Sequence, residues 1–188
     1  MSQHDLTATK KPLDMGPDGI IFPMIRSRAE AEELISWTLY PPYGTRGFGP
    51  QNAIDYGFID PVQYMKDNRN DLCRFIQIEH HGAIEELDEI LKIPYIDGFI
   101  FGPNDLSGSS GIPGEVFDDR ITGVIRDAAA KIHAAHRYVG LATGDTRIET
   151  LTHWRDLGID LMAAGSDFDL LCRYTQENRL LLDKVMKA

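Results

Sequence analysis

The chain has 188 residues, 43% of them hydrophobic and 26% charged, enough to bury the core of one domain. Its formal net charge of −10 excludes non-specific affinity for nucleic acid or anionic membranes, because a polyanion is repelled rather than steered in. No apolar run approaches the roughly 20 residues that span a bilayer, and the opening segment MSQHDLTATKKP has neither the apolar core of a signal peptide nor an arginine-rich transit pattern.

Short apolar runs rich in branched residues alternate with amphipathic stretches. In chain order the runs are residues 19–24 (GIIFPM), 74–79 (RFIQIE), 98–101 (GFIF), 138–142 (YVGLA) and 160–164 (DLMAA). They read as buried strands. The stretches between them, residues 27–39, 82–91, 118–136, 149–157 and from Asp167 onward, read as helices. A repeated βα pattern predicts a parallel sheet and the α/β class. The excursion over residues 40–70, with Pro41-Pro42 and four glycines, is too long for an ordinary connection and resembles an active-site loop. Cys73 and Cys172 lie in or beside apolar runs without C-x-x-C spacing, and are expected to be buried thiols in a reducing cytoplasm.

The third strand-to-helix junction reads Gly102-Pro103-Asn104-Asp105-Leu106-Ser107, and the second strand closes on Gln77-Ile78-Glu79. Each run delivers a carboxylate where its apolar part stops, at the end of a parallel sheet that carries chemistry. Two such carboxylates facing one pocket hold Mg²⁺ or Mn²⁺ loosely and leave positions for water and a chelating substrate. Structural roles explain them as well: Glu79 as negative charge near the next helix start, Asp105 or Ser107 as an N-cap. Arg46 in GTRG serves equally as a ligand for a substrate carboxylate or as a tie for its own glycine-rich loop. His80 and His81 follow Glu79, where either ring could approach the metal or act as a catalytic base, although a solvated or outer-shell place is the commoner outcome. His133 and His136 share a helix face remote from the strand ends and belong to the surface. Ser166 and Asp167 follow the last strand at the catalytic face, where an N-cap explains them equally well.

The strings GPDGIIFPMI, YPPYGTRGFGP, FIQIE and DGFIFGPNDLSGSSG, in this order and with compatible gaps, resemble the successive signatures of the HpcH/HpaI aldolase family. The resemblance runs from about Lys10 to near the C-terminus. It implies a (β/α)₈ barrel and a metal-dependent lyase that cleaves or forms 2-oxo-3-deoxy acids and 4-hydroxy-2-oxo dioates. It further implies Glu79 and Asp105 as ligands to Mg²⁺, Mn²⁺ or Co²⁺, Gln77 as the hydrogen-bond partner of the 2-oxo acid, and the backbone of Gly102, Pro103 and Asn104 as the pocket for its carboxylate. Retro-aldol cleavage leaves a pyruvate enolate, whose charge a chelated cation absorbs without a lysine Schiff base. The implied partners are pyruvate or oxaloacetate, an aldehyde held by loops, and further copies of the chain, in hexamers of dimers that exchange a C-terminal helix, here residues 169–187.

Barrels of this type run to about 250 residues, and five strand candidates occur here. Residues 1–188 are therefore expected to form a single domain, an incomplete barrel lacking its first three strands. Five parallel strands cannot close, and the open edges and inner face require cover, so a homo-oligomer is expected. The family's catalytic histidine and carboxylate-holding arginine belong to the early strands and have no counterpart here; His4 does not align as a substitute. Little turnover is expected of the chain alone, either as a truncated aldolase or as a natural pseudoenzyme that keeps Glu79 and Asp105. A citrate-lyase-like enzyme acting on a coenzyme A thioester is a further alternative, disfavoured by the acidic balance and the GPNDL form of the motif.

Overall fold

The computed structural model describes residues 5–187, so the expectation for His4 lies outside the described residues. Helix α1 (Leu6–Asp14) begins where the Asp5 carboxylate accepts from the Ala8 amide. Strand β1 (Gly19–Phe22) leads to α2 (Arg28–Ser36), whose N-cap Ser27 accepts from the Glu30 amide. Helix α3 (Pro61–Asp71) is capped by Asp60 and opened by Pro61, whose missing N–H costs nothing at a first helical position. Strand β2 (Cys73–Ile78) is followed by the short helices α4 (His81–Glu85) and α5 (Leu87–Ile90). Then come β3 (Gly98–Phe101), α6 (Pro103–Ser109), α7 (Asp119–Ala134), β4 (Tyr138–Thr143), α8 (Ile148–Asp156), β5 (Leu161–Ala164) and α9 (Asp167–Met186). None of these helices is long and apolar enough to cross a membrane.

All four strand pairings are parallel, and the strands lie in chain order, β1-β2-β3-β4-β5. A doubly wound sheet reverses its order at a switch point; here each new strand joins the same edge, which is the winding of a barrel. Side chains alternate across the sheet. One set, including Phe22, Ile76, Ile78, Phe99, Phe101, Val139 and Leu141, is buried beneath α2, α5 and α7 in a single hydrophobic cluster. Each such side chain contributes on the order of 1.5–3 kcal/mol by burial. The other set is only partly covered: Ile21, Tyr138 and Leu161 are 49%, 61% and 45% exposed. On this inner face large residues sit against small ones. Phe75 pairs with Gly98, where a Cβ would come within 2.4 Å of the Phe75 ring.

The structure corrects two sequence expectations and adds one element. The excursion over residues 40–70 ends in α3, and within this chain it packs at the N-terminal ends of the strands: the Ala53 amide donates to the Asp14 carbonyl, and the Arg46 guanidinium reaches Asp14. Both cysteines are exposed, because Cys73 opens β2 on the uncovered face and α9, which carries Cys172, has no buried residue. Helix α1 was not anticipated, since Pro12 stands inside it.

Candidate active site

Glu79 follows β2 and is 5% exposed. Its carboxylate is held from two sides: Oε1 accepts from the Met24 amide at 2.6 Å, and Oε2 accepts from Gln77 Nε2 at 3.2 Å. Met24 stands just past β1 with φ of 56°, a left-handed conformation that non-glycine residues seldom adopt. Gly102 closes the third side. A Cβ there would lie 2.4 Å from Glu79 Oε2, so only glycine lets the β3–α6 junction approach the carboxylate.

Asp105 lies in the first turn of α6 and is exposed. It lines the same cleft as Glu79, a space of about 330 Å³ bordered also by Gln77, Gly102, Asn104, Thr143, Ser166 and Asp169. Burial pushes the Glu79 carboxyl above the usual carboxylate range; the Met24 amide opposes that rise, and the nearby Asp105 charge adds to it. Among the described residues neither carboxylate has a salt-bridge partner. Two converging carboxylates without a counter-charge are a donor set for a hard divalent cation. No group of three or more His, Cys, Asp or Glu suited to a metal occurs among the described residues. A cation here would therefore have two protein carboxylates and open positions, which suits a metal that also takes substrate and water.

The remaining sequence candidates divide. Pro103 is buried at the start of α6, and Asn104 borders the cleft beside it. His80 caps α4, its Nδ1 accepting from the Gly82 amide at 3.1 Å, and it stacks on His81 at 4.5 Å; neither ring lines the cleft. Arg46 is 1% exposed and donates to Asn68 and Asp14 with its guanidinium over the Tyr40 ring, so it ties down its loop and stands outside the cleft. Ser107 is no N-cap: its hydroxyl donates to the Asn104 carbonyl and accepts from the Gly114 amide. Ser166 does cap α9, in a reciprocal box with Asp169, and both border the cleft. Thr143 and Asp169 escaped the sequence reading; the Ser166-x-x-Asp169 spacing was the one signal for the latter. The charged lining of the cleft, Glu79, Asp105 and Asp169, is wholly acidic among the described residues.

A sequentially wound parallel sheet with paired carboxylates at neighbouring strand ends defines a site of the (β/α)-barrel type. A model of the HpcH/HpaI aldolase/citrate lyase family matches residues 1–173, and the chain belongs to that family. It is 33% identical to a hydroxypyruvate/pyruvate aldolase of Roseovarius nubinhibens, over 89% of this chain and 65% of that protein. It is 36% identical to a 2-keto-3-deoxy-L-rhamnonate aldolase of Klebsiella pneumoniae, over 93% of this chain and 64% of that protein. The chain thus spans just under two thirds of the length of these curated relatives. The crystal structure of an HpcH/HpaI aldolase from Desulfitobacterium hafniense superposes with a TM-score of 0.87 at 24% identity, over 97% of this chain and 70% of the other. At that identity the likeness shows the fold: five parallel strands forming part of a barrel.

Proposed function

We propose that the chain carries the metal and 2-oxo-acid site of a divalent-metal-dependent aldolase, a carbon–carbon lyase. The observation that supports this most is the convergence of Glu79 and Asp105, uncompensated by any salt bridge among the described residues, on one cleft at the C-terminal ends of adjacent parallel strands. A Mg²⁺, Mn²⁺ or Co²⁺ ion held by these two residues would supply positive charge at the ketone oxygen of pyruvate or oxaloacetate, where the enolate charge develops. Gln77 donates one amide proton to Glu79 and keeps a second for the 2-oxo group. Gly102, Pro103 and Asn104 bring backbone to the edge of the cleft, where it borders the substrate carboxylate, and the aldehyde lies beyond. The wholly acidic lining repels the phosphates of a coenzyme A thioester, which argues against a citrate-lyase-like substrate.

A second reading, a metal-binding chain with little turnover of its own, is favoured by one feature: among the described residues no arginine, lysine or histidine lines the cleft. General-base assistance is worth roughly 10² to 10⁴ in rate, and the one carboxylate in the cleft besides the two proposed ligands, Asp169, is engaged in capping α9. The exposed apolar face of α9 supports association with further copies of the chain. Oxaloacetate decarboxylation and pyruvate–aldehyde condensation by the purified chain test the proposal. Turnover that requires added Mn²⁺ and is abolished in Glu79→Gln and Asp105→Asn is the expected result, at a rate far below that of a complete family aldolase. Metal-independent turnover, or full activity in either variant, contradicts it.

A further inference from the structure

The turn that follows α2 and one face of α3 border a cavity of about 480 Å³ that shares no lining residue with the Glu79 cleft. Small-molecule sites run from about 300 to 1,000 Å³. The turn supplies Tyr40, Pro41, Pro42 and Tyr43. Its shape is fixed: the Tyr43 and Gly44 amides donate to the Tyr40 carbonyl, and the Arg46 amide donates to the Leu39 carbonyl. Gly44 lets the turn fold back on α2, because a Cβ there would lie 2.3 Å from the Ser36 carbonyl oxygen. Helix α3 supplies the opposite wall, Val62, Met65, Lys66 and Arg69, whose spacing puts them on one helix face. Two of these four are cations in a chain of net charge −10, and no acidic side chain lines the cavity. The Arg69 guanidinium lies 4.3 Å from the centroid of the Tyr43 ring, which in turn meets Tyr95 edge-on at 6.4 Å. Among the described residues neither Lys66 nor Arg69 has an ion-pair partner, and the one hydrogen bond of Arg69 outside its helix is made by its backbone carbonyl, which accepts from Arg74. A guanidinium steadied on an aromatic face with its fork of donors unpaired is preorganised for a carboxylate.

We infer that this cavity is a second ligand site, for a small aromatic carboxylate whose ring lies between the proline turn and Met65 and whose carboxylate meets Arg69 and Lys66. The site stands apart from the metal cleft and does not depend on the aldolase reading. Size supports the class. At the ~30 Å³ that a water occupies in the liquid, 480 Å³ admits on the order of fifteen such groups, enough for a carboxylate on one or two fused rings. Charge supports it as well. Screening confines electrostatics to about 8 Å at physiological ionic strength, so the two lining cations outweigh the negative total of the chain. Two cations match a single carboxylate and fall short of a polyphosphate. The flat faces of Tyr40, Tyr43 and the two prolines favour a ring over a flexible alkyl chain, which loses more conformational freedom on binding.

Naphthalene-2-carboxylate is the probe, titrated into the metal-free 188-residue chain and followed by its fluorescence and by the methyl resonances of the six methionines. Met65→Leu assigns the Met65 signal. The expected result is saturable binding at one site per chain, with the Met65 methyl shifted and that of Met24, beside Glu79, unmoved. Naphthalene-2-carboxamide, which has the same shape without the charge, is expected to bind about tenfold more weakly, the value of one charge-assisted hydrogen bond. Arg69→Gln is expected to lower affinity for the acid by about tenfold and to leave affinity for the amide unchanged, with helix content kept by circular dichroism. The comparison of acid with amide in the parent chain needs no variant, so it decides the matter even where Arg69→Gln fails to fold. No saturation at the highest soluble concentration overturns the proposal, as does a shift of Met24 in place of Met65. Equal affinity for acid and amide, a folded Arg69→Gln that binds the acid as the parent does, or octanoate bound as tightly as the naphthoate overturns it equally.

Discussion

Met24 and Glu79 are 55 residues apart in the chain, and the Met24 amide donates to Glu79 Oε1 across 2.6 Å. The bond ties the end of β1 to the end of β2 and fixes one oxygen of the carboxylate, while Gly102 presses on the other side. Gly102→Ala therefore attacks the site through packing alone. The new Cβ, 2.4 Å from Oε2, forces Glu79 out of place. Overpacking of this kind costs about 1–3 kcal/mol. The expected outcome is a loss of Mn²⁺ affinity of at least about tenfold, the size seen when groups that orient metal ligands are changed, with a modest fall in Tm. Titration calorimetry and thermal melts measure the two effects, and unaltered Mn²⁺ binding would show that the position of Glu79 is irrelevant.

Glu79 makes a pH-dependent contribution whose sign follows from its environment. Burial raises its carboxyl above the ordinary value of 4.5, with the Asp105 charge adding to the rise and the Met24 amide opposing it. Between the unfolded and folded values the native state binds more protons than the unfolded one, so this contribution to stability falls as pH rises through that window and stays lowest above it. Glu79→Gln cannot ionise. The metal-free variant is expected to gain stability over the parent at neutral pH, and the gain disappears below the ordinary carboxylate value. Denaturant melts at several pH values check this; a variant less stable than the parent at neutral pH contradicts it.

Arg46 is a structural residue in this geometry. Its guanidinium is buried against Asn68, Asp14 and the Tyr40 ring, and Asp14 is shared with Lys10. Arg46→Ala removes two hydrogen bonds and leaves polar partners behind, a loss on the order of 2 kcal/mol because Asp14 keeps its lysine and some solvent. In a chain of this size that lowers Tm by roughly 4–8 °C. Mn²⁺ affinity stays unchanged, and a selective loss of substrate binding without loss of stability would restore Arg46 to the site.

Much of this was legible in the sequence for identifiable reasons. Branched apolar runs between amphipathic stretches located all five strands within a few residues, and strand-end position singled out Glu79 and Asp105. Helix α3 was hidden because PVQYMKDNRND buries only Asn68 and so lacks an apolar stripe; the Asp60-Pro61 start was its signal. Cys73 was misplaced because the alternation along β2 turns it to the uncovered face. Thr143 entered the cleft through tertiary adjacency of β4 to β3, which no local pattern encodes. The ambiguity at Arg46 needed burial to resolve it.

Helix α9 has no buried residue, and Leu171, Tyr174, Leu182 and Val185 are exposed at spacings that place them on one face. Exposed apolar stripes of this extent mark association surfaces. Leu171→Glu with Leu182→Glu is expected to lower the mass measured by light scattering after size exclusion, with helix content kept because neither side chain packs on the body of this chain. An assembly of unchanged mass would place the interface elsewhere.

Glu79 and Asp105 acting together on one cation is the central claim, and Mn²⁺ binding measures it directly. Titration of the chain, followed by the electron paramagnetic resonance signal of free Mn²⁺, is predicted to show one site per chain. Glu79→Gln and Asp105→Asn are each predicted to weaken it by more than the roughly 10–100-fold lost on outer-shell changes, while both variants keep the parent's fold by circular dichroism. Either variant binding Mn²⁺ as tightly as the parent would contradict the account.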